Sequence, residues 1–292
     1  MLSLSKILAP VDFSERSASA VRCAIDLAGF FQSQITLLHV LPALVPPPHE
    51  YPEMYVGAAP VEIVAERRAR SSRDLANFLN GEVTYPHLTR LLLEGDAARQ
   101  IAETAAAGSF DLIVMPTHGR GSFRRLLVGS VTAKVLHDAA CPVWTRVHTH
   151  TTPDDGRLAV GRVLCALDLG PSSTATLDWA AGFSERLNST LAIVHVAPLD
   201  PRTEAYYLSP EWRGRTIEAA RSRIEELQAE AGTHCEVHVE SGDIRQAICD
   251  TARDSHADLL VTGRGGAAGA TGRLASHAYS IIRDSPCPVV TV

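Results

Sequence analysis

Four runs in the first half of the chain, KILAPV (6–11), ITLLHV (35–40), LIVM (112–115) and PVWTRV (142–147), are mostly apolar and show no alternation. Such runs suit strands of a parallel sheet, where helices cover both faces and each side chain meets an apolar neighbour whichever way it points. The stretches between them follow helical spacing. The segment 14–31 opens on Ser14, a good N-cap, and repeats apolar residues through Ala18, Val21, Ile25 and Leu27. The mixed-charge run 62–79 reads as a second helix with a solvated face, and 215–231 is its counterpart later in the chain. A further helix is expected over SVTAKVLHDAA (130–140).

The pattern then recurs. KILAPVDFS (6–14) matches RVLCALDLG (162–170), and QITLLHVLP (34–42) matches TLAIVHVAP (190–198), which aligns Asp12 with Asp168 and His39 with His195 at one constant offset. EGDAARQIAETA (94–105), DLIVMPTHG (111–119) and CPVWTRV (141–147) return as SGDIRQAICDTA (241–252), DLLVTGRGG (258–266) and CPVVTV (287–292). The chain is two copies of one unit of about 140 residues, each a β-α-β-α-β-α-β-α-β series. The polar stretch HTHTTPDDGR (148–157) reads as the joint, so the expected domains are 1–148 and 161–292 with a linker over 149–160. Each copy is expected to be a doubly wound α/β unit. Such sheets bind ligands beyond the carboxyl ends of their strands, where the winding reverses. Asp12 follows the first strand and a glycine loop follows the fourth, so both are expected at one crevice.

Composition narrows the function. With 292 residues, 46% hydrophobic and 21% charged, the chain can bury two modest cores. A formal net charge of −6 argues against a nucleic-acid or anionic-membrane partner held by bulk charge. No apolar run approaches the roughly 18–20 residues that span a bilayer, and a cytoplasmic location without membrane contact is expected. Cys23, Cys141, Cys165, Cys235, Cys249 and Cys287 lack CxxC spacing and read as buried structural thiols. The tract HTH (148–150) near Cys141 lacks paired metal-ligand spacing, and His39 and His195 read as packed side chains, so no metal site is assigned.

The loop PTHGRGSFRRLLVGS (116–130) carries three glycines and three arginines but no carboxylate. A phosphate needs backbone N–H groups presented together, preferably at a helix N-terminus, and glycine lets the backbone come close. Gly119 and Gly121 open the loop and Gly129 closes it. Ser130 is placed to cap the following helix and, with Thr132, to donate hydroxyl hydrogen bonds, while Arg120, Arg124 and Arg125 supply charge. The bland reading is a surface loop with solvated arginines. No lysine precedes Ser130 as a Walker A loop requires, no G-x-G-x-x-G follows the first strand, and no G-x-S-x-G elbow is present. No catalytic residue is assigned.

At these residues the chain resembles the universal stress protein family in its tandem-domain form. The resemblance covers essentially the whole chain, once per half, through VDFS, LLHV, EGDAA, DLIVMPTHG and CPV. Nucleotide-binding members carry G-x2-G-x9-G-[ST] after the fourth strand and an Asp after the first. The resemblance implies two five-stranded parallel sheets of order 3-2-1-4-5, adenine nucleotide alpha hydrolase-like and related by a pseudo-two-fold, with the last strands paired across it. It further implies ATP as ligand, with Mg2+ held by phosphate oxygens and water. Carried over, Asp12 anchors the adenine and ribose side, and Pro10, Val11 and Val40 line the base pocket. Met115, His118 and Gly119 continue around ribose, and Gly129, Ser130, Val131 and Thr132 hold the outer phosphates. The motif's first glycine is Pro116 here, which keeps a carbonyl but has no N–H to donate.

The second half retains Asp168, Val196, Gly263 and Gly266, but Ala275-Ser276 stands for Gly-Ser after a loop one residue shorter, with His277 next. A Cβ at Ala275 obstructs close approach and Ser276 is shifted, so weak or absent nucleotide binding is expected there. The implied function is an ATP-binding stress-response protein in which nucleotide occupancy biases conformation or partner choice. Hydrolysis is expected to be slow at most, because no lysine, general base or arginine finger is evident in the motif. The rival is a scaffold or small-ligand carrier that lost the nucleotide, motivated by Pro116 and the altered second loop; a flavin or electron-transfer role has no residue support. A homodimer and an unidentified protein partner both fit. The segments 41–60 and 197–214 read as lids, partner surfaces or ordered surface loops.

Overall fold

The computed structural model describes residues 2–43, 61–119, 128–146, 159–198, 210–264 and 273–292. These form two compact units. The first holds β1 (Lys6–Pro10), α1 (Glu15–Phe31), β2 (Gln34–Leu41), α2 (Val61–Asn77), β3 (Leu88–Glu94), α3 (Ala97–Ala107), β4 (Leu112–Pro116) and α4 (Ser130–Asp138). The second holds β5 (Val143–Arg146), β6 (Arg162–Ala166), α5 (Ser173–Leu187), β7 (Thr190–Pro198), α6 (Pro210–Ala231), β8 (Glu236–Gly242), α7 (Ile244–Asp254), β9 (Leu259–Thr262), α8 (Arg273–Asp284) and β10 (Val289–Thr291). The expected helix at 14–31 is α1, and Ser14 is its N-cap, accepting from the Ser17 N–H. The charged runs 62–79 and 215–231 fall on α2 and α6.

In the first unit the strands run β3-β2-β1-β4, all parallel, with Ile7 opposite Ile35 on one side and Leu112 on the other. The winding therefore reverses between β1 and β4. In the second unit the order is β8-β7-β6-β9-β10, parallel throughout, which is the 3-2-1-4-5 order of the second copy. The unit boundary falls at Cys141, ahead of β5, although the repeat assigns β5 to the first copy. β5 pairs antiparallel with β10, Trp144 opposite Val290, so the two last strands cover each other's edges as expected.

The central strands are buried apart from the first residues of β1 and β6, as their apolar runs require: Ile7, Leu8, Leu112, Ile113, Val163, Leu164, Leu259 and Leu260 are at most 2% exposed. Aspartates pin the strand starts. Asp111 Oδ2 accepts the backbone N–H of Ser5 and Lys6 at 2.7 and 2.9 Å, and Asp258 Oδ2 does the same for Gly161 and Arg162 at 2.8 and 2.9 Å. The repeated Gly-Asp pair also has a mechanical reason. Gly95 and Gly242 take φ of 133° and 119°, open to glycine, and the next residue, Asp96 or Asp243, caps the following helix. No helix among the described residues is long and apolar enough to cross a membrane.

Candidate functional site

The β1–α1 turn aims one carboxylate. Val11 N–H continues the ladder to Leu38 O at 2.8 Å, and the next residue leaves the sheet. Asp12 Oδ1 accepts the Ser14 N–H at 3.1 Å and the Ser14 hydroxyl at 2.5 Å. Ser14 Oγ in turn accepts the Ser17 N–H at 3.2 Å, so the helix cap and the carboxylate are held by the same side chain. Asp12 Oδ2 faces the segment after β4: a Cβ built on Gly119 would lie 2.8 Å from it. The two ends expected to share a crevice are in contact. Between them Phe13 takes φ 62°, a left-handed conformation that costs an L-residue roughly 1–2 kcal/mol. Its ring lies 4.2 Å from that of His39 and 5.5 Å from that of Phe78.

Pro10, Val11, Val40, Met115 and Pro116 are buried at the carboxyl ends of β1, β2 and β4. His118 is half-buried, with Nδ1 3.0 Å from the Thr117 hydroxyl. A residue not anticipated from sequence also reaches the crevice: Arg16, in the first turn of α1, donates from Nη1 to Gly119 O at 3.1 Å. Its only sequence signal was a basic residue two positions after Ser14, which many surface helices share.

The head of α4 packs on the end of β4. Gly129 donates its N–H to Thr117 O at 2.8 Å, and a Cβ there would sit 3.3 Å from that oxygen and 3.5 Å from His118 Cα. The first intrahelical bond runs from Ala133 N–H to Gly129 O at 2.8 Å. The N–H groups of Ser130, Val131 and Thr132 therefore lie ahead of the helix ladder, with Ser130 and Val131 exposed. Two expectations change. The N-cap is Gly129, without a side-chain cap bond, and Ser130 is the first helical residue rather than the cap. The Thr132 hydroxyl is buried and donates to Pro116 O at 3.1 Å, tying α4 to the end of β4. Arg120, Gly121, Arg124 and Arg125 lie outside the described residues.

The second half repeats the carboxylate end. Asp168 Oδ1 accepts the Gly170 N–H and the Ser173 hydroxyl, both at 2.9 Å, Leu169 takes φ 60°, and Val196 is buried. Its other end differs. α8 is already helical at Arg273, so Ala275 and Ser276 lie inside the first turn. From His277 onward each N–H has a helical carbonyl four residues back, so the counterparts of the Val131 and Thr132 N–H groups are used within the helix. Gly263 is half-buried at the end of β9, its carbonyl accepting the Thr262 hydroxyl at 3.3 Å. Gly266 and the Ser276 side chain lie outside the described residues. The counterpart of Arg16 is Ser172.

Among the described residues no group of three His, Cys, Asp or Glu side chains could hold a metal ion. None of the six cysteines is in a disulfide. Burial pushes the thiols of Cys235, Cys249 and Cys287 up to about 11, and that of Cys165 higher still. These four are protonated at neutral pH, as structural thiols are.

The model of the universal stress protein family matches this chain twice, over residues 4–145 and 160–292. A universal stress protein of Mycolicibacterium smegmatis is 26% identical over 295 aligned positions, covering 98% of this chain and 96% of that protein. One from Methanocaldococcus jannaschii is 30% identical over 138 positions, covering 47% of this chain and 79% of its own. Among solved structures, a universal stress protein from Archaeoglobus fulgidus shares the fold with a TM-score of 0.71 at 22% identity, covering 99% of this chain and 98% of that one. With both halves matched and little left over, the chain belongs to the universal stress protein family.

Proposed function

We propose that the first repeat binds ATP and that its occupancy acts as a switch in a stress response. The observation that carries this reading is the pairing of two features on the first unit: a carboxylate oxygen packed against Gly119, and a glycine-headed helix with N–H groups ahead of its ladder. In this reading the adenine lies on Pro10, Val11, Val40 and Met115, and Asp12 Oδ2 accepts from the ribose side. His118 and Gly119 flank the inner phosphates. The N–H groups of Ser130, Val131 and Thr132 and the Ser130 hydroxyl receive the outer ones, at the positive end of the α4 dipole.

Pro116 and Thr132 refine it. Pro116 donates nothing, and its carbonyl holds the Thr132 hydroxyl, so Thr132 contributes its backbone N–H and a structural strut. Mg2+ would arrive with the triphosphate and take phosphate oxygens and water, since Asp12 Oδ1 is committed to Ser14 and no protein cage stands among the described residues. The second repeat, with α8 helical from Arg273, is read as nucleotide-poor.

The test is the nucleotide content of freshly purified, denatured protein, followed by calorimetry with Mg-ATP. About one nucleotide per chain is the expected result, and about two would overturn the reading of the second repeat. A second reading, a scaffold or carrier without nucleotide, draws support from Pro116 and the committed Thr132 hydroxyl. A chain that purifies empty and ignores added Mg-ATP would establish that reading in place of the first.

A further inference from the structure

His39 stands in β2 immediately before Val40, and its side chain reaches the turn that carries Asp12. A carbonyl oxygen only accepts, so Nδ1 bears the proton and donates it to Val11 O at 2.7 Å. The same ring lies 4.2 Å from the Phe13 ring, tilted by 36°. One side chain thus grips both neighbours of Asp12: the carbonyl before it and the ring after it. Phe13 is at φ 62°, where a bulky residue stays only when its surroundings hold it. Such strain held beside a carboxylate that is aimed at Gly119 is the geometry of a preorganised contact.

We propose that His39 is a positioning residue: it holds the left-handed turn at Phe13 and thereby keeps Asp12 Oδ2 against Gly119, ready to accept from the ligand. The ligand part of this statement rests on the nucleotide reading of the first repeat. The second half supplies an internal control. His195 Nδ1 lies 2.8 Å from Leu167 O, and Leu169 takes φ 60°, so the hydrogen bond recurs. Leu169 has no ring to stack, and the helix that follows β9 is already helical at Arg273, ahead of Ala275 and Ser276.

Two variants separate donor from bulk. His39→Leu removes the N–H, whereas His39→Asn places its amide N–H where Nδ1 stands. Crystal structures come first. In the leucine variant Phe13 is expected to leave the left-handed region and Asp12 Oδ2 to withdraw from Gly119; an unchanged turn overturns the proposal. Mg-ATP affinity is then measured by calorimetry. His39→Leu is expected to weaken binding about tenfold and His39→Asn to recover most of it, a change typical of one lost charge-assisted contact.

In an Asp12→Ala background, His39→Leu is expected to cost nothing further. An equal loss with and without Asp12 makes His39 a fold residue and overturns its positioning role. His195→Leu is expected to lower stability as much as His39→Leu does while leaving Mg-ATP affinity unchanged; an equal loss of affinity also overturns it. If His39→Leu does not fold, His39→Asn enters the same cycle, where parent-like affinity supports the proposal and an Asp12-independent loss sinks it. If the parent itself ignores Mg-ATP, the nucleotide reading fails, and the crystallographic comparison still decides whether His39 holds Asp12.

Discussion

Gly119 and Gly129 are glycines for reasons of space. Gly129 has φ −59° and ψ 146°, open to any residue, but a Cβ there would press on Thr117 O; at Gly119 it would meet Asp12 Oδ2. Removing that carboxylate tests the aim of the turn. Asp12→Ala is expected to weaken adenine nucleotides at least about tenfold while moving the melting temperature only a few degrees, because the Oδ1 hydrogen bonds to Ser14 stay within one turn. Calorimetry and a thermal melt check both parts, and equal affinity in variant and parent takes Asp12 out of the site. The thiols make a pH prediction. Burial raises Cys249 and Cys287 to about 11, above the ordinary thiol value near 8.5, so their contribution to stability is complete below that value. It is lost as pH rises towards about 11. Denaturation midpoints at pH 8 and 10.5 should therefore differ less in a Cys249→Ala, Cys287→Ala double variant than in the parent.

At the scale of elements, the two halves diverge where a helix begins. α4 starts at Ser130 behind a glycine, and α8 is helical before the equivalent Ala275-Ser276 pair. Gly129→Val adds a branched Cβ at a place where even a methyl is 3.3 Å from backbone. It should lower triphosphate affinity far more than adenosine affinity; unchanged triphosphate binding would mean that α4 is not the cradle. α8 is fixed at its far end. Asp284 accepts hydrogen bonds from Arg283 and, across to α7, from Arg245 at 2.8 Å, and these two hold its carboxyl below the ordinary carboxylate value. Asp284→Asn should therefore cost on the order of 0.5–1 kcal/mol at neutral pH, a figure kept small because the pair is partly exposed to water. The penalty should shrink in acid, since a depressed value means stability present above the ordinary range and lost progressively as pH falls through the depressed one. Urea titrations at pH 7 and pH 3 compare the two.

At the scale of the whole molecule, the last strand of each copy carries the consequence. The edge of β5 is hydrogen-bonded to β10. A chain cut to residues 1–148 would leave that edge open, and an open edge strand recruits another. It should run as a dimer in light scattering, and a monomer would show that β10 is not needed to cover β5. Both copies were legible beforehand because unbroken apolar runs and repeated turns are local signals, while the sheet order was implied by the family resemblance. The pairing of β5 with β10 is not written in any local pattern, since a strand's partner depends on which edges meet in space.

Sequence alone determined the two-copy architecture, the helix cap at Ser14, the burial of the central strands, and the candidacy of Asp12 and Gly129. Each follows from residue chemistry at short range: period, cap, glycine, motif spacing. Tertiary structure alone decided which oxygen of Asp12 faces Gly119, that Arg16 and His39 converge on the same turn, that Thr132 spends its hydroxyl on Pro116, and where α8 starts. Those contacts join residues from different strands and helices. Their hydrogen bonds form only once β1, β2 and β4 lie side by side, and no local pattern of apolar and polar residues encodes a distance across a sheet.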